Sequence, residues 1–384
     1  MGSAPLDGLA VLDISNSIAG QYCGRLLADA GADVVLVEPP SGTPVRRMGP
    51  FWRDGSRPDD SILFWHINSS KRSLTLDWTT PTGADLLKDV ASSAQVVVTS
   101  AESADVESLL PGNDSRFLCR VEEFAADASY QSWRGSELIH QAMSGTMFEN
   151  GAAEREPLFG VGHRAYYAAG TVAYISIVAQ LLATEPTASS ARISVAETAP
   201  SMNYNRVTQH WYSGGVDPRG DPHTPRMTLR CKDGWIVAFP TPRRWLETCR
   251  VFRAPEVADD PRFSNDVDRH QAWRSIEAIF QAGVENVPRD EIVADALRVR
   301  VVAAKVASPD DLWTDPHLRH RHYWQELDDN GISRPMLGPL YRFTPHASRN
   351  ISRPPRLGDS TKEILEGVGI SIDELELLRN IGVA

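Results

Sequence analysis

The chain has 384 residues, of which 42% are hydrophobic and 23% charged, a composition that predicts two globular domains or one large domain with a subdomain. Its formal net charge of −11 argues against nucleic acid or anionic membranes as partners, and a polyanionic ligand would need a local basic patch. No secretory signal and no apolar run of the roughly 20 residues that span a bilayer is visible. The four cysteines show neither disulfide nor metal-site spacing, so we expect a cytoplasmic protein without a metal site.

The first hundred residues alternate between strand and helix patterns. Apolar runs predict strands at 9–14, 33–38, 73–77 and 94–99, with helices at 20–31 and 84–91 between them. This alternation predicts right-handed crossovers and a parallel α/β sheet. Glu38 follows the first turn at the spacing of a ribose-binding acid, but residues 15–20 lack the G-x-G-x-x-G pattern. We therefore interpret this segment as a plain strand–helix turn rather than an NAD site.

The second half of the chain has a different character. Residues 168–184 are apolar nearly all round, which predicts a core helix, and 191–195 predict a strand. Glycines and prolines then accumulate, so we divide the chain into a first domain at 1–205 and a linker at 206–225. Residues 226–325 predict a small α+β domain that opens with a hairpin at Asp233-Gly234. Residues 326–384 form a return segment with a helical tail.

Sequence blocks along the whole chain resemble the CaiB/BaiF group, the family III CoA-transferases with their racemase and dehydratase relatives. The blocks include Pro5-Leu-Asp-Gly-Leu-Ala-Val-Leu-Asp-Ile-Ser15, Asn68-Ser-Ser-Lys-Arg-Ser-Leu-Thr-Leu-Asp77 and Gln141-Ala-Met-Ser-Gly145, and they continue to residues 355–365. The resemblance implies a Rossmann-like large domain completed by residues 326–384, and a smaller α+β domain. It also implies an interlocked dimer in which the active site lies between the large domain of one subunit and the small domain of the other.

The resemblance further implies a substrate and residues that bind it. The expected reaction moves CoA between an acyl-CoA and a carboxylic acid, without a covalently bound cofactor. Ser17, Ile18 and Ala19 are implied to lie along the CoA. Arg46 and the pair Lys71-Arg72 are candidate partners for its phosphates, because basic side chains form charge-assisted hydrogen bonds with phosphate. The alternative is that these basic residues are ordinary solvated surface charges.

The expected nucleophile is missing from this chain. In the family a carboxylate stands four residues before the glycine that corresponds to Gly170, and here that position is Tyr166. A phenol with a reference pKa of about 10 is neutral at pH 7 and cannot form the acyl anhydride. Tyr166 as a hydrogen-bond donor and His163 as a proton shuttle are the candidate catalytic residues. The alternatives are an aromatic pocket wall and a structural loop histidine, with Glu154 or Glu156 as a displaced carboxylate.

Three further differences leave the reaction open. The Asn-Phe pair that holds CoA in the family is replaced by residues 99–102, and the family's glycine-rich loop has no counterpart near 230–244. The histidine of the racemase branch is replaced by Ser136, and His140 is predicted to face another side of the helix. The hypotheses are a CoA-transferase with a non-standard route, a non-catalytic subunit of a heteromer with an Asp-bearing paralogue, and an acyl-CoA racemase or dehydratase. The expected assembly is a homodimer, and the alternative is a heteromer with the Asp-bearing paralogue.

Overall fold

The computed structural model describes residues 4–52, 57–100, 108, 110, 116–126, 129–152, 154–184, 188–215, 219, 227–343 and 351–384. The chain divides into two compact units. The large unit comprises residues 1–150, 157–216 and 321–384, and the small unit comprises residues 151–156 and 217–320.

The large unit is built on a six-stranded parallel sheet in the order β3-β2-β1-β4-β5-β6. The elements up to the fifth strand are β1 Ala10–Asp13, α1 Ile18–Asp29, β2 Asp33–Glu38, α2 Ile62–Asn68, β3 Arg72–Thr75, α3 Pro81–Ser92, β4 Val96–Ser100 and β5 Phe117–Glu122. They are followed by α4 Glu137–Met143, α5 Thr146–Glu149, α6 Arg164–Leu181, β6 Ser190–Ser194, α7 Val195–Ser201 and α8 Tyr204–Ser213. The predicted Rossmann-like parallel sheet is confirmed.

This strand order places a topological switch point between β1 and β4. The chain leaves β1 toward β2 on one side and returns to β4 on the other, so a crevice opens at the carboxyl ends of these two strands. The strands are apolar runs because both sheet faces are covered; four consecutive residues, Val34 to Val37, are buried in β2.

Helices α1 and α6 pack closely against each other. Ser17 begins α1 as an N-cap, since its Oγ accepts a hydrogen bond from the amide of Gly20 at 3.1 Å. A Cβ added at Gly170 of α6 would lie 2.5 Å from the carbonyl oxygen of Ala19, so the close approach requires glycine there. This contact holds the start of α6 near the turn that follows β1.

The expectation that the apolar helix around residues 168–184 is buried all round is wrong for the single chain. Only the stripe containing Ala165, Ala169, Ala173 and Ile177 is buried, because this stripe alone faces α1 and the sheet. On the opposite side Ile175 is 57% exposed.

The small unit is an α+β structure with its own core. Its elements are β7 Met227–Cys231, β8 Gly234–Phe239, α9 Trp245–Val251, α10 Asp266–Gln271, α11 Trp273–Val284, α12 Arg289–Val299, β9 Val302–Lys305, α13 Pro309–Thr314 and α14 Pro316–His320. The strands are antiparallel in the order β7-β8-β9, and β7 and β8 are joined by the turn at Asp233. Phe252, Trp273 and Phe280 are buried in its core. Within the predicted linker, residues 206–213 belong to α8 and are therefore helical.

Residues 321–384 return to the large unit. They form the hairpin β10 Trp324–Asp329 and β11 Ile332–Leu337, then α15 Thr361–Gly367 and α16 Ile372–Asn380. Thr361 Oγ1 accepts a hydrogen bond from the amide of Thr75 at 3.0 Å, and Leu365 is buried among residues of the sheet. The large unit therefore includes both ends of the sequence.

The described part of the chain contains no helix long and apolar enough to cross a membrane. Nor does it contain a group of three or more His, Cys, Asp or Glu side chains able to hold a metal ion.

Candidate active site

The turn after β1 lies at the switch point, where the resemblance predicts the CoA segment. Asn16 donates its backbone N–H to Ser100 Oγ at 3.1 Å, which joins this turn to the carboxyl end of β4. Ser17 Oγ is engaged in capping α1, and the side chains of Ile18 and Ala19 are buried. The Oδ1 atom of Asn16 is buried and has no hydrogen-bond partner within the described residues. Two of the three side chains in the predicted CoA segment, Ile18 and Ala19, are therefore buried in the fold.

Lys71 is buried in an ion pair and is not exposed to a phosphate. Its Nζ lies 2.9 Å from Asp13 Oδ2 and also donates to the carbonyl oxygen of Gln21 at 2.6 Å and to Asn68 Oδ1 at 2.8 Å. All three ammonium protons have acceptors, and burial lowers the pKa of Lys71 while Asp13 opposes that shift. The structure therefore gives Lys71 a role in fixing α1 and β1, in place of the predicted phosphate contact.

Arg46 has a similar structural role. Its guanidinium forms two hydrogen bonds with the Glu38 carboxylate, at 2.6 and 2.7 Å, and lies 2.6 Å from Asp59 Oδ1. The group is fully buried and stacks on the Phe64 ring at 3.9 Å. Its donors already serve protein acceptors, so the predicted phosphate contact has no support at this residue.

Arg72 lies at the opposite edge of the sheet from the predicted CoA segment. It is the first residue of β3, and it forms an ion pair with Asp33, the first residue of β2, at 2.6 Å. The amino ends of parallel strands meet at one edge of a sheet and their carboxyl ends at the other. The sequence reasoning placed Arg72 at or near the carboxyl-end crevice, and the structure corrects that position.

Tyr166 lies in the first turn of α6, and its phenol contacts a carboxylate. The side chain is buried, and Oη donates toward Glu123 at 3.0 Å to Oε1 and 3.1 Å to Oε2. The start of α6 binds a second carboxylate, since Glu137 accepts the amides of Ala165 at 2.9 Å and Tyr166 at 3.4 Å. Free amides and the helix dipole favour an anion at this position. The sequence predicted the anion-binding helix start but did not identify Glu137 as its anion.

Glu123 also contacts a buried histidine. The Nε2 atom of His140 lies 2.5 Å from Glu123 Oε2, and the His140 side chain is fully buried. The Nδ1 atom of His140 has no hydrogen-bond partner within the described residues. Sequence reasoning missed this pair.

Glycine is required beside the Glu123–His140 contact. A Cβ added at Gly135 would lie 2.2 Å from Glu123 Oε2 and 2.4 Å from His140 Nε2. The aromatic side chains of Phe124, Tyr130 and Trp133 form a cluster nearby, and the Phe124 ring lies 5.3 Å from the His140 ring. The contact between the Glu123 carboxylate and the His140 imidazole therefore depends on glycine at 135, because a larger residue would push the two groups apart.

His163 occupies the N-cap position of α6 but makes no capping hydrogen bond through its side chain. Its ring centroid lies 6.3 Å from that of Tyr166, and its Nδ1 atom is buried with no hydrogen-bond partner in the described ranges. Beside the same helix start is a cleft of about 160 Å³, which Gln141, Arg164 and Ala165 help to line. The two predicted catalytic residues, Tyr166 and His163, therefore lie together at one helix start.

The alternative carboxylates Glu154 and Glu156 are exposed and belong to the small unit. Glu154 forms an ion pair with Arg274 at 3.2 Å, and Glu156 lies 3.5 Å from Arg155. A hydrogen bond with its own backbone amide and a second with Arg274 lower the pKa of Glu154. Residues 101–107, which include Glu102 of the replaced CoA loop, lie outside the described residues.

A six-stranded parallel sheet of Rossmann type, together with a small α+β unit, places this chain among the α/β proteins. Comparison with known proteins gives a family. Residues 6–361 match the sequence profile of CoA-transferase family III, and the chain belongs to that family. The membership expected from the sequence blocks is confirmed.

Several relatives align over nearly their whole length. Succinyl-CoA:(R)-benzylsuccinate CoA-transferase subunit BbsE of Thauera aromatica is 26% identical, with 97% of this chain and 96% of the relative covered. Succinyl-CoA:mesaconate CoA-transferase of Haloarcula hispanica is 28% identical, with 97% and 98% covered. The crystal structure of a CaiB/BaiF family protein from Brucella suis superimposes with a TM-score of 0.85 at 25% identity, covering 96% of this chain and 100% of that one.

Proposed function

We propose that this protein binds an acyl-CoA and transfers CoA between it and a carboxylic acid. The observation that supports this most strongly is the family profile match, which runs from residue 6 to residue 361 and so includes both units. Relatives that align over nearly their full length are named as CoA-transferases that use succinyl-CoA. We therefore propose a short dicarboxylyl-CoA, with succinyl-CoA as the first donor to test.

The reaction centre in this proposal is the start of α6. Tyr166 and His163 are its polar groups, and the turn at Ser17, Ile18 and Ala19 binds part of the CoA. Lys71 and Arg46 are held in buried ion pairs, which supports a role in stabilising the fold and not in binding the CoA phosphates. Because residue 166 is a tyrosine, the route cannot begin with a carboxylate at that position. Tyr166 instead acts as a hydrogen-bond donor and His163 as a proton shuttle.

Binding can be tested with the purified full-length chain. A ligand that binds only the folded state at 100 times its Kd stabilises that state by about 2.7 kcal/mol. We expect CoA and succinyl-CoA to raise the melting temperature and NAD to leave it unchanged. Stabilisation by NAD alone would contradict the proposal. Transfer is then measured as acyl-CoA formed from succinyl-CoA and a panel of dicarboxylic acids.

A second candidate, a subunit of a heteromer, is favoured by the names of two relatives. BbsE is named as a subunit, and the succinyl-CoA–L-malate CoA-transferase relative from Chloroflexus aurantiacus is named as an alpha subunit. In this version an Asp-bearing paralogue supplies the carboxylate that is absent at Tyr166. Activity would then require co-expression of the two chains. Robust transfer by this chain alone would exclude this candidate and favour the homodimer.

A further inference from the structure

We propose that Glu123 is the nucleophile, the carboxylate that attacks the acyl-CoA carbonyl in place of an acid at position 166. This inference rests on the proposed function of CoA transfer. Glu123 directly follows β5, so it lies at the same carboxyl edge of the sheet as the turn after β1. Tyr166, which binds Glu123, is four residues or about 6 Å along α6 from Gly170. Gly170 in turn packs against Ala19 of the predicted CoA segment.

The contacts of Glu123 fix the orientation of its carboxylate. Tyr166 Oη lies within hydrogen-bond distance of both oxygens, and His140 Nε2 contacts Oε2. Gly135 leaves the space in which these contacts form. The side chain is nevertheless 26% exposed, so it is oriented by the protein and still open to a substrate.

Three other carboxylates, those of Glu137, Glu122 and Asp13, lack that combination. Glu137 is buried, and it binds two backbone amides at the start of α6 and the side-chain amide of Gln141. Glu122 is buried, and Asp13 is held in the Lys71 ion pair. A carboxylate at 166 would repel Glu123, whereas a phenol donates a hydrogen bond to it. The presence of tyrosine at 166 is therefore consistent with a nucleophile at 123.

The proposed first step balances without a proton or a further reactant. An oxygen of the Glu123 carboxylate forms a bond to the thioester carbonyl carbon, the C–S bond breaks, and CoA leaves as a thiolate with the electron pair. The thiolate then attacks the glutamyl carbonyl of the mixed anhydride, which releases the donor acid and leaves a glutamyl-CoA thioester. An acceptor carboxylate repeats the sequence in reverse and leaves as its CoA thioester.

The test is trapping of the acylated residue in the full-length protein. Protein incubated with succinyl-CoA is quenched with hydroxylamine, digested and analysed by peptide mass spectrometry. We expect a hydroxamate on Glu123 that is absent from Glu123→Gln. The matched control is Glu154→Gln, the same substitution at an exposed glutamate, which should retain both the label and the transfer rate. Tyr166→Phe keeps the carboxylate but loses its phenol donor, and should still label Glu123 with a kcat at least tenfold lower.

A second readout does not depend on a folded variant. In a single turnover, transfer to an acceptor acid labelled with ¹⁸O in its carboxylate should leave one ¹⁸O in the wild-type protein at Glu123, because the anhydride breaks on the acceptor side. This gives a 2 Da increase in the peptide that contains the residue. If Glu123→Gln fails to fold, this measurement and the wild-type hydroxamate decide the question.

The outcomes separate this inference from the proposed function. Transfer accompanied by a label on another residue, or by no label, overturns the role of Glu123 and leaves CoA transfer standing. A transfer rate of folded Glu123→Gln within twofold of wild type would likewise overturn the role of Glu123 and leave CoA transfer standing. Exchange of the substrate's α-proton for deuterium in D₂O, with no hydroxamate or ¹⁸O on Glu123, would indicate that Glu123 acts as a base. That result would also overturn the inference. Absence of both acyl-CoA binding and transfer would instead overturn the proposed function together with this inference.

Discussion

Replacing Lys71 with methionine should destabilise the large unit and leave acyl-CoA recognition largely unaffected. The side chain stays unbranched, though one heavy atom shorter, and loses the charge that neutralises Asp13 at 2.9 Å inside the protein. The carbonyl of Gln21 and the amide oxygen of Asn68 also lose their donor. The outcome therefore distinguishes a structural lysine from a phosphate-binding one.

The magnitude follows from the charge that remains. Removing one partner of a buried ion pair costs about 3–5 kcal/mol, because the other charge stays buried without compensation. Ser15 reduces this cost, since its N–H and Oγ still donate to Asp13 at 3.1 and 2.6 Å. We therefore expect a loss of about 3 kcal/mol, the lower end of that range. In the double variant Lys71→Met/Asp13→Asn the uncompensated charge is gone, and at least half of the loss should be recovered.

Hydrogen-exchange mass spectrometry on peptides from β1 and α1 reports the large unit by itself, which matters because two compact units need not unfold together. Arg72→Met is the matched control. Its ion pairs with Asp33 and Glu363 are exposed, and such pairs contribute about 0–1 kcal/mol. Unchanged exchange in Lys71→Met, together with a tenfold or greater loss of acyl-CoA affinity, would refute the structural role.

Gly135→Ala places a Cβ 2.2 Å from Glu123 Oε2, so the rate of CoA transfer in steady-state assays should fall at least tenfold. Circular dichroism should show that this variant remains folded. An unchanged kcat would contradict the proposed geometry. Gly170→Ala places a Cβ 2.5 Å from the carbonyl oxygen of Ala19, and this overpacking should cost about 1–3 kcal/mol in thermal unfolding and weaken acyl-CoA binding in titration calorimetry. Burial, reinforced by the charge of Arg25, lowers the pKa of His66 to about 4. The unfolded state therefore binds more protons than the folded state between pH 6.5 and 4, and the free energy of unfolding falls as the pH drops through that range. The free energy of unfolding should fall by at most about 3 kcal/mol across this range, and in His66→Gln it should depend less on pH. Equal pH dependence in wild type and variant would contradict the role of His66.

Most of the sheet was predictable because its strands are buried on both faces. Apolar runs such as Val34 to Val37 predict a strand from local sequence alone. β5 was missed because its apolar residues are interrupted by Arg120 and the strand ends in Glu122, with a second glutamate, Glu123, directly after it. The core-helix prediction failed for a related reason. A helix that is apolar on every side does not indicate which of its faces is buried. The sequence therefore cannot show which side of α6 packs on α1 in the single chain.

The candidate site was less predictable because its contacts join distant parts of the sequence. Lys71 has the same local sequence whether it faces solvent or Asp13, which lies 58 residues away. Glu123 looks like a solvated strand end until Tyr166, 43 residues later, and His140, 17 residues later, are placed beside it. The available signal was positional. An acid directly after a parallel strand lies at the carboxyl edge of the sheet, where ligands bind in this class of fold.

The return of residues 351–384 to the sheet separates two folding events during synthesis. These residues supply Leu365 and Leu378 to the apolar cluster on one face of the sheet, and the carbonyl of Val383 accepts the amide of Asp77 at 2.7 Å. The ribosome delivers them only after all of the small unit, which is complete by residue 320. We expect a nascent chain that ends at residue 320 to contain a protease-resistant small unit. Its large unit should remain cleavable, with one face of the sheet open to chaperones until the last helices emerge.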